Sequence, residues 1–245
     1  MRNAGGARAS HTLPVAFEPD DRDRNGDDAR RRAALWADVA DDFRDTARRT
    51  GLAEPSPRVW QALRAVPRDR FVAEAWRGHA WENRPLPIGA GQTISQPFIV
   101  ALMTALADPE PQHRVLEVGT GCGYQAAVLA QLAAHVTSIE RIAALVDQAR
   151  EHLHELGITN VELHLADGWQ GWPPGAPYDR IVVTAGPEQV PPALIAQLAA
   201  PGRLVIPVGP DGIQALRVID RAADGSLSER DVLDVRFVPM PEGVA

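Results

Sequence analysis

The chain has 245 residues, 45% of them hydrophobic, enough for one sizeable core or one domain with an appendage. Its net charge is −7 and its pI about 5.5, so it lacks the grouped Lys and Arg that a phosphate backbone requires, and nucleic acid is not an expected partner. All 25 basic residues are arginine, which excludes both a Schiff-base lysine and a P-loop lysine.

One cysteine, Cys122, excludes an intrachain disulfide and fits a reducing compartment. No apolar run reaches membrane-spanning length, and "HTLPVAF" is too short, and too interrupted by Pro14, for a signal-peptide core. The expected setting is the cytoplasm, away from membranes. Residues 1–32, with the run "EPDDRDRNGDDARRR", bury too little apolar surface to offset their ordering entropy, and read as a disordered charged tail.

Residues 33–88 read as a helical cap. In "AALWADVADDFRDTARR" Leu35, Val39 and Phe43 fall at i, i+4 and i+8, one apolar stripe that Gly51 ends. "SPRVWQALRAV" starts a second helix, with Ser56 as N-cap and Pro57 in its first turn. "DRFVAEAW" reads as a third short helical piece. "GAGQTISQPF", residues 89–98, shows neither a helical stripe nor clean strand alternation.

From residue 89 to 245 the chain reads as one further domain, packed with the cap into a single globular unit over 33–245. After Pro109 strands and helices alternate. "RVLEVG", "HVTSIE", "VELHLAD", "YDRIVVTAG" and "GRLVIPVG" read as strands. "YQAAVLAQLA", "RIAALVDQAREHLHELG" and "PPALIAQLAA" read as the helices between them. "ALRVIDR" and "RDVLDVRFVPM" form a terminal hairpin around Asp224-Gly225. The fold class is α/β: a doubly wound, mostly parallel, Rossmann-like sheet with an N-terminal helical cap. Ligands of such sheets sit at the carboxyl ends of the strands.

The chemistry follows from those strand ends. "VLEVGTGCGYQ" places Gly119, Gly121 and Gly123, with Thr120 among them, between a strand and a helix, where glycines let the backbone approach a ligand. Tyr124 stands where a dinucleotide fingerprint needs its third glycine, which disfavours NAD and FAD. Glu140 ends the second strand, where a carboxylate can accept both ribose hydroxyls. Asp167, followed by Gly168, ends the third, where it can accept from an adenine amino group or form an ordinary Asp-Gly turn. Glu117 can attract a ligand ammonium, directly or through water, or serve only as a capping carboxylate. A glycine loop followed by two strand-end acids suits a nucleoside with an amino-acid tail, that is, S-adenosyl-L-methionine. Seven histidines form no metal-ligand pattern, and no G-x-S-x-G elbow surrounds Ser95. Trp169 and Trp172 read as packing residues.

Taken in order, "LPIGAGQTISQPFIVALMTAL", "RVLEVGTGCGYQAAVLA", "SIER", "ADGWQGW", "PYDRIVVTAG", "GRLVIPVG" and "VRFVPM" resemble the protein-L-isoaspartate O-methyltransferase family, from about Val59 to Pro239. The resemblance implies a class I methyltransferase sheet ending in an antiparallel strand, and S-adenosyl-L-methionine as methyl donor. It implies Ser95 as the active-site residue, with Thr93 and Gln96 lining the substrate site and "VRFVPM" at its border. The acceptor it implies is the free carboxylate of L-isoaspartyl residues in damaged proteins, with D-aspartyl residues left open. The methyl ester then cyclises to a succinimide, which begins repair. Such an enzyme is expected as a monomer. A carboxylate is already ionised at neutral pH, so the site must position it rather than deprotonate it. Two other readings stand beside this one: a methyltransferase dedicated to one biosynthetic peptide, and a non-catalytic nucleoside-binding protein.

Overall fold

The computed structural model describes residues 26–245. The expected charged tail lies outside the described residues up to residue 25, and from there the expectation is corrected. Helix α1 spans Asp27–Thr50 and takes in "DDARRR". Asp27 and Asp28 sit in its first turn, at the positive end of the helix dipole, and Arg31 pairs with Asp27 at 3.0 Å one turn on. Leu35, Val39 and Phe43 are buried along α1, the stripe their spacing predicts.

Helix α2, Pro57–Ala65, is capped by Ser56, whose Oγ accepts from the Val59 N–H at 3.4 Å. "DRFVAEAW" divides into two 3-10 turns, Arg68–Phe71 and Glu74–His79. Strands β1 (Leu86–Gly89) and β2 (Gln92–Ile94) then form a small antiparallel hairpin. Its turn holds Ala90 and Gly91 in left-handed backbone, at φ 50° and 70°.

Helix α3 spans Pro97–Ala107. Its first turn is satisfied from outside: the Phe98 N–H donates to Asn83 Oδ1 at 3.1 Å, and Asn83 Nδ2 donates to Asp42 Oδ2 at 2.7 Å. The cap position belongs to Gln96, so Ser95 is not spent on capping.

The main sheet follows the predicted alternation. In chain order come β3 (Arg114–Val118), α4 (Tyr124–Ala130), β4 (His135–Glu140), α5 (Ala143–Glu155), β5 (Val161–Leu165) and β6 (Tyr178–Val183). They are followed by α6 (Pro192–Gln197), β7 (Leu198–Val208), β8 (Gln214–Arg221) and β9 (Leu227–Val235). The spatial order is β5-β4-β3-β6-β7-β8-β9. The first five are parallel neighbours, and β8 and β9 return antiparallel as the expected hairpin. Two boundaries move. Leu198–Ala200, expected as helix, opens β7. "VRFVPM" leaves the hairpin after Val235 and runs beside Gly186, whose N–H donates to the Val238 carbonyl at 2.8 Å.

Strand residues alternate between two cores. Val115, Val182 and Val205 join the larger core beneath α1–α5. Leu116, Ile181, Val183, Leu204 and Ile206 join the smaller one beneath α6. The helical layer belongs to the larger core: Phe43 is fully buried and meets Phe98 edge-on at 5.4 Å. We propose that residues 33–245 unfold as one cooperative unit. Phe43→Ala is expected to lower stability by about 3–5 kcal/mol in one denaturant transition read by both tryptophan fluorescence and far-UV circular dichroism. Separate transitions for the two probes would divide the helical layer from the sheet.

Candidate active site

β3 is adjacent to β4 on one side and β6 on the other, so the chain reverses its direction across the sheet at β3/β6. The glycine loop emerges at this switch point. Gly119 has φ 99°, and a Cβ there would lie 2.4 Å from Thr184 Oγ1. Only glycine fits, because Thr184 at the end of β6 donates to the Gly119 carbonyl at 2.5 Å. A Cβ on Gly168 would lie 2.7 Å from Val118 Cγ1 and 3.2 Å from the Met240 sulfur. The strand ends and the C-terminal segment therefore close on one another around side chains that must be absent.

A cavity of about 280 Å³ lies here, just below the ~300–1,000 Å³ common for ligand clefts. Gly119, Thr120, Gly121, Glu140 and Gly168 line it, together with Thr93 and Ser95. Glu140 is buried and accepts three backbone N–H groups: Gly121 at 3.0 Å, Arg141 at 2.8 Å and Ile142 at 3.0 Å. It thus ties the glycine loop to the start of α5 while facing the cavity.

Three of the expected cofactor-binding residues stand outside that lining. Gly123 packs against Ala149 of α5. Asp167 Oδ1 accepts from the Trp169 N–H at 2.9 Å, the ordinary turn that its sequence also allowed. Glu117 is fully buried, and its Oε2 accepts from Ser138 Oγ at 2.5 Å. Ser138 Oγ lies 2.6 Å from Thr120 Oγ1, so a hydroxyl chain separates Glu117 from the cavity. Glu117 Oε1 has no hydrogen-bond partner. Burial pushes its carboxyl up to about 8, partly opposed by the Ser138 hydrogen bond. A buried acid with an orphan oxygen behind a glycine loop fits a ligand that brings positive charge. The same burial pushes the Cys122 thiol up to about 11, so it is unreactive at neutral pH.

A second, larger cleft of about 800 Å³ adjoins the first. Thr93, Ser95, Thr184, Val238 and Pro239 line both. Gln96 lines only the second. Ser95 makes no hydrogen bond among the described residues, which leaves its hydroxyl available at the junction.

The sequence of residues 42–245 matches the profile of the family described as Protein-L-isoaspartate(D-aspartate) O-methyltransferase (PCMT). The chain belongs to this family. It is 52% identical over 198 residues to protein-L-isoaspartate O-methyltransferase 2 of Polaromonas sp., covering 80% of this chain and 94% of that relative. It is 56% identical over 187 residues to a protein-L-isoaspartate O-methyltransferase of Halorhodospira halophila, covering 76% and 84%. A solved protein-L-isoaspartate O-methyltransferase superposes with a TM-score of 0.72 at 27% identity, over 85% of this chain and 65% of that one. A Plasmodium falciparum structure described as a putative member, in complex with S-adenosyl-L-homocysteine, superposes with a TM-score of 0.68 at 25% identity, over 82% and 97%. The fold is that of a class I S-adenosylmethionine-dependent methyltransferase.

Sequence reasoning for this family member missed Thr184, although it ends the fourth parallel strand beside the switch point and the strand-end rule reaches it. It also missed how "VRFVPM" divides: Val238, Pro239 and Met240 border the first cavity, while Val235, Arg236 and Phe237 border only the second. Trp169 does more than pack, since its Nε1–H holds the Met240 carbonyl at 2.7 Å. Among the described residues no group of His, Cys, Asp and Glu is placed to hold a metal ion.

The raised Glu117 carboxyl has a consequence for stability. Its folded value of about 8 exceeds the ordinary 4.5, so the folded chain holds a proton that the unfolded chain releases. That contribution is full below about pH 4.5 and is lost as pH rises through about 8. Glu117→Gln cannot ionise. It is expected to flatten the fall in urea midpoint between pH 5 and pH 8.5, and an equal slope in both proteins would show that Glu117 does not titrate in this window.

Proposed function

We propose that this chain transfers a methyl group from S-adenosyl-L-methionine to the free carboxylate of L-isoaspartyl residues in damaged proteins. The observation that carries the reading is the shared wall: Thr93, Ser95, Thr184, Val238 and Pro239 line both the glycine-loop cavity and the larger cleft. A donor in one and an acceptor in the other meet only there. When bound, S-adenosylmethionine supplies an electrophilic methyl group on a sulfonium.

The chain's own residues hold and aim. Gly119, Thr120, Gly121 and Gly168 let the backbone approach the nucleoside, with Gly123 setting the packing of the loop on α5. Glu140 retains acceptor capacity toward the ribose hydroxyls beyond its three backbone bonds. Asp167 has one carboxylate oxygen left for an adenine amino group. Glu117 holds its proton at neutral pH on its own; the positive charge of the methionyl ammonium would favour its ionised form and reach it through Thr120 and Ser138. Ser95 orients the attacking carboxylate oxygen, with Thr93 and Gln96 beside it. No residue need act as a base, because the acceptor is ionised at neutral pH. Orientation and exclusion of water are what the site contributes.

We take the substrates to be proteins and peptides rather than nucleic acid or membrane, and the enzyme to act as a cytoplasmic monomer. The charge of −7 supports the first. Among the described residues, no helix is long and apolar enough to cross a membrane.

Labelled S-adenosylmethionine with matched peptides, L-isoaspartyl and L-aspartyl at one position on two unrelated backgrounds, tests the reading. Label is expected on both isoaspartyl peptides and neither aspartyl one; label on neither, with cofactor bound, rejects it. In the same assay Ser95→Ala is expected to lower turnover about 10- to 100-fold, in line with losing one positioning contact, with cofactor affinity nearly unchanged. Unchanged turnover would remove Ser95 from the mechanism.

A further inference from the structure

The larger cleft carries charge that the glycine-loop cavity does not share. Asp211, Asp234 and Arg236 line it. Asp234 is paired with Arg49 at 2.9 Å. Arg236 is exposed and has no ion pair or hydrogen bond among the described residues. A guanidinium offers a planar fork of donors that matches a carboxylate, and among the described residues no group takes it up.

The backbone that carries Arg236 is held on both sides. Val235 pairs with Gln214 across the β8/β9 ladder. The Phe237 N–H donates to Gln214 Oε1 at 2.9 Å. Gln214 is itself 1% exposed, and its Nε2 donates to the Pro210 carbonyl at 3.2 Å. One buried amide therefore links the 210 loop to the segment bearing Arg236, two walls of the same cleft. A cation on a pinned backbone at a ligand cleft presents its charge from a fixed point rather than from a drifting loop.

We propose that Arg236 captures the free carboxylate of the isoaspartyl residue at the mouth of this cleft and so determines specificity for a charged acceptor. The proposal rests on the methyl-transfer reading and adds to it the group that recognises the substrate's charge. Arg236 lines only the cleft, whereas Ser95 and Thr184 line the wall shared with the donor cavity. Its interaction therefore falls on the carboxylate oxygen that does not attack, and it is kept while Ser95 orients the other. A bidentate arginine at the transfer point itself would hold the attacking oxygen and slow it. Asp211, which has no ion pair among the described residues, repels a carboxylate and leaves Arg236 as the attractive side. An interaction of equal strength in ground and transition states acts on KM and leaves kcat alone.

The test uses an isoaspartyl peptide blocked at both termini, whose only carboxylate is the acceptor, and the same peptide with that group as a carboxamide. In Arg236→Ala, KM for the acid is expected to rise about tenfold, the loss of one charge-assisted contact, with kcat within about twofold. Inhibition by the carboxamide, and binding of S-adenosylhomocysteine, should not change. Arg236→Lys should recover part of the loss, and the salt dependence of kcat/KM should weaken in Arg236→Ala. An unchanged KM in Arg236→Ala overturns the proposal while the wild-type enzyme still methylates. Equal weakening toward acid and carboxamide also overturns it, because that is the mark of a structural role. Failure of the wild-type protein to methylate the acid defeats the methyl-transfer reading and this proposal together.

Discussion

The structure depends on the contact between the ends of two strands that are distant in sequence and adjacent in space. β3 and β6 run parallel, with Val118 beside Val183, and the chain winds away from this seam in both directions. Just beyond their ends, Thr184 Oγ1 holds the Gly119 carbonyl at 2.5 Å. That contact forces a residue without a side chain at 119 and opens the space that the glycine loop borders. A parallel sheet leaves its strand-end amides and carbonyls without ladder partners at such a seam, so polar groups and ligands gather there. The two cavities are consequences of the same seam, and Thr184 belongs to both.

The helical layer contributes more than burial. Asn83 satisfies the start of α3 and is itself held by Asp42 from α1. The hydroxyl of Ser95, two positions before the first residue of α3, is left for the cavity junction. On the opposite wall, Gly186 receives the C-terminal segment through Val238 and Met240, and Trp169 fixes the Met240 carbonyl. The site is thus assembled from chain segments near residues 95, 119, 184 and 238, each anchored by hydrogen bonds that do not depend on a ligand. This is the form of preorganisation expected where catalysis rests on alignment of a group that is already reactive.

Much of this was legible in the sequence because the controlling forces are local. Period-two strands and the apolar stripe of α1 follow from which residues must leave water. Glycine after Thr50 and Ser-Pro before α2 mark ends through backbone conformation and capping. The β1–β2 hairpin was not legible, because strands of four and three residues hold too little pattern, and a left-handed Ala90 gives no warning. The start of β7 was missed because Leu and Ala serve a helix as well as a strand. The strand-end rule brought Glu117, Glu140 and Asp167 to one region, yet it does not orient side chains. Alternation sends Glu117 to the same face as Val115, under the helical layer, and a local turn claims Asp167. Gln214 and Arg236 act through partners or surfaces far away in the chain, so no window of sequence contains them.

The measurement that tests this account most directly is a structure of the enzyme with S-adenosylhomocysteine and an isoaspartyl peptide bound together. The thioether sulfur is expected in the glycine-loop cavity and the peptide carboxylate in the larger cleft, facing each other across Ser95 and Thr184. A peptide bound elsewhere on the surface, or a nucleoside seated in the larger cleft, would contradict it.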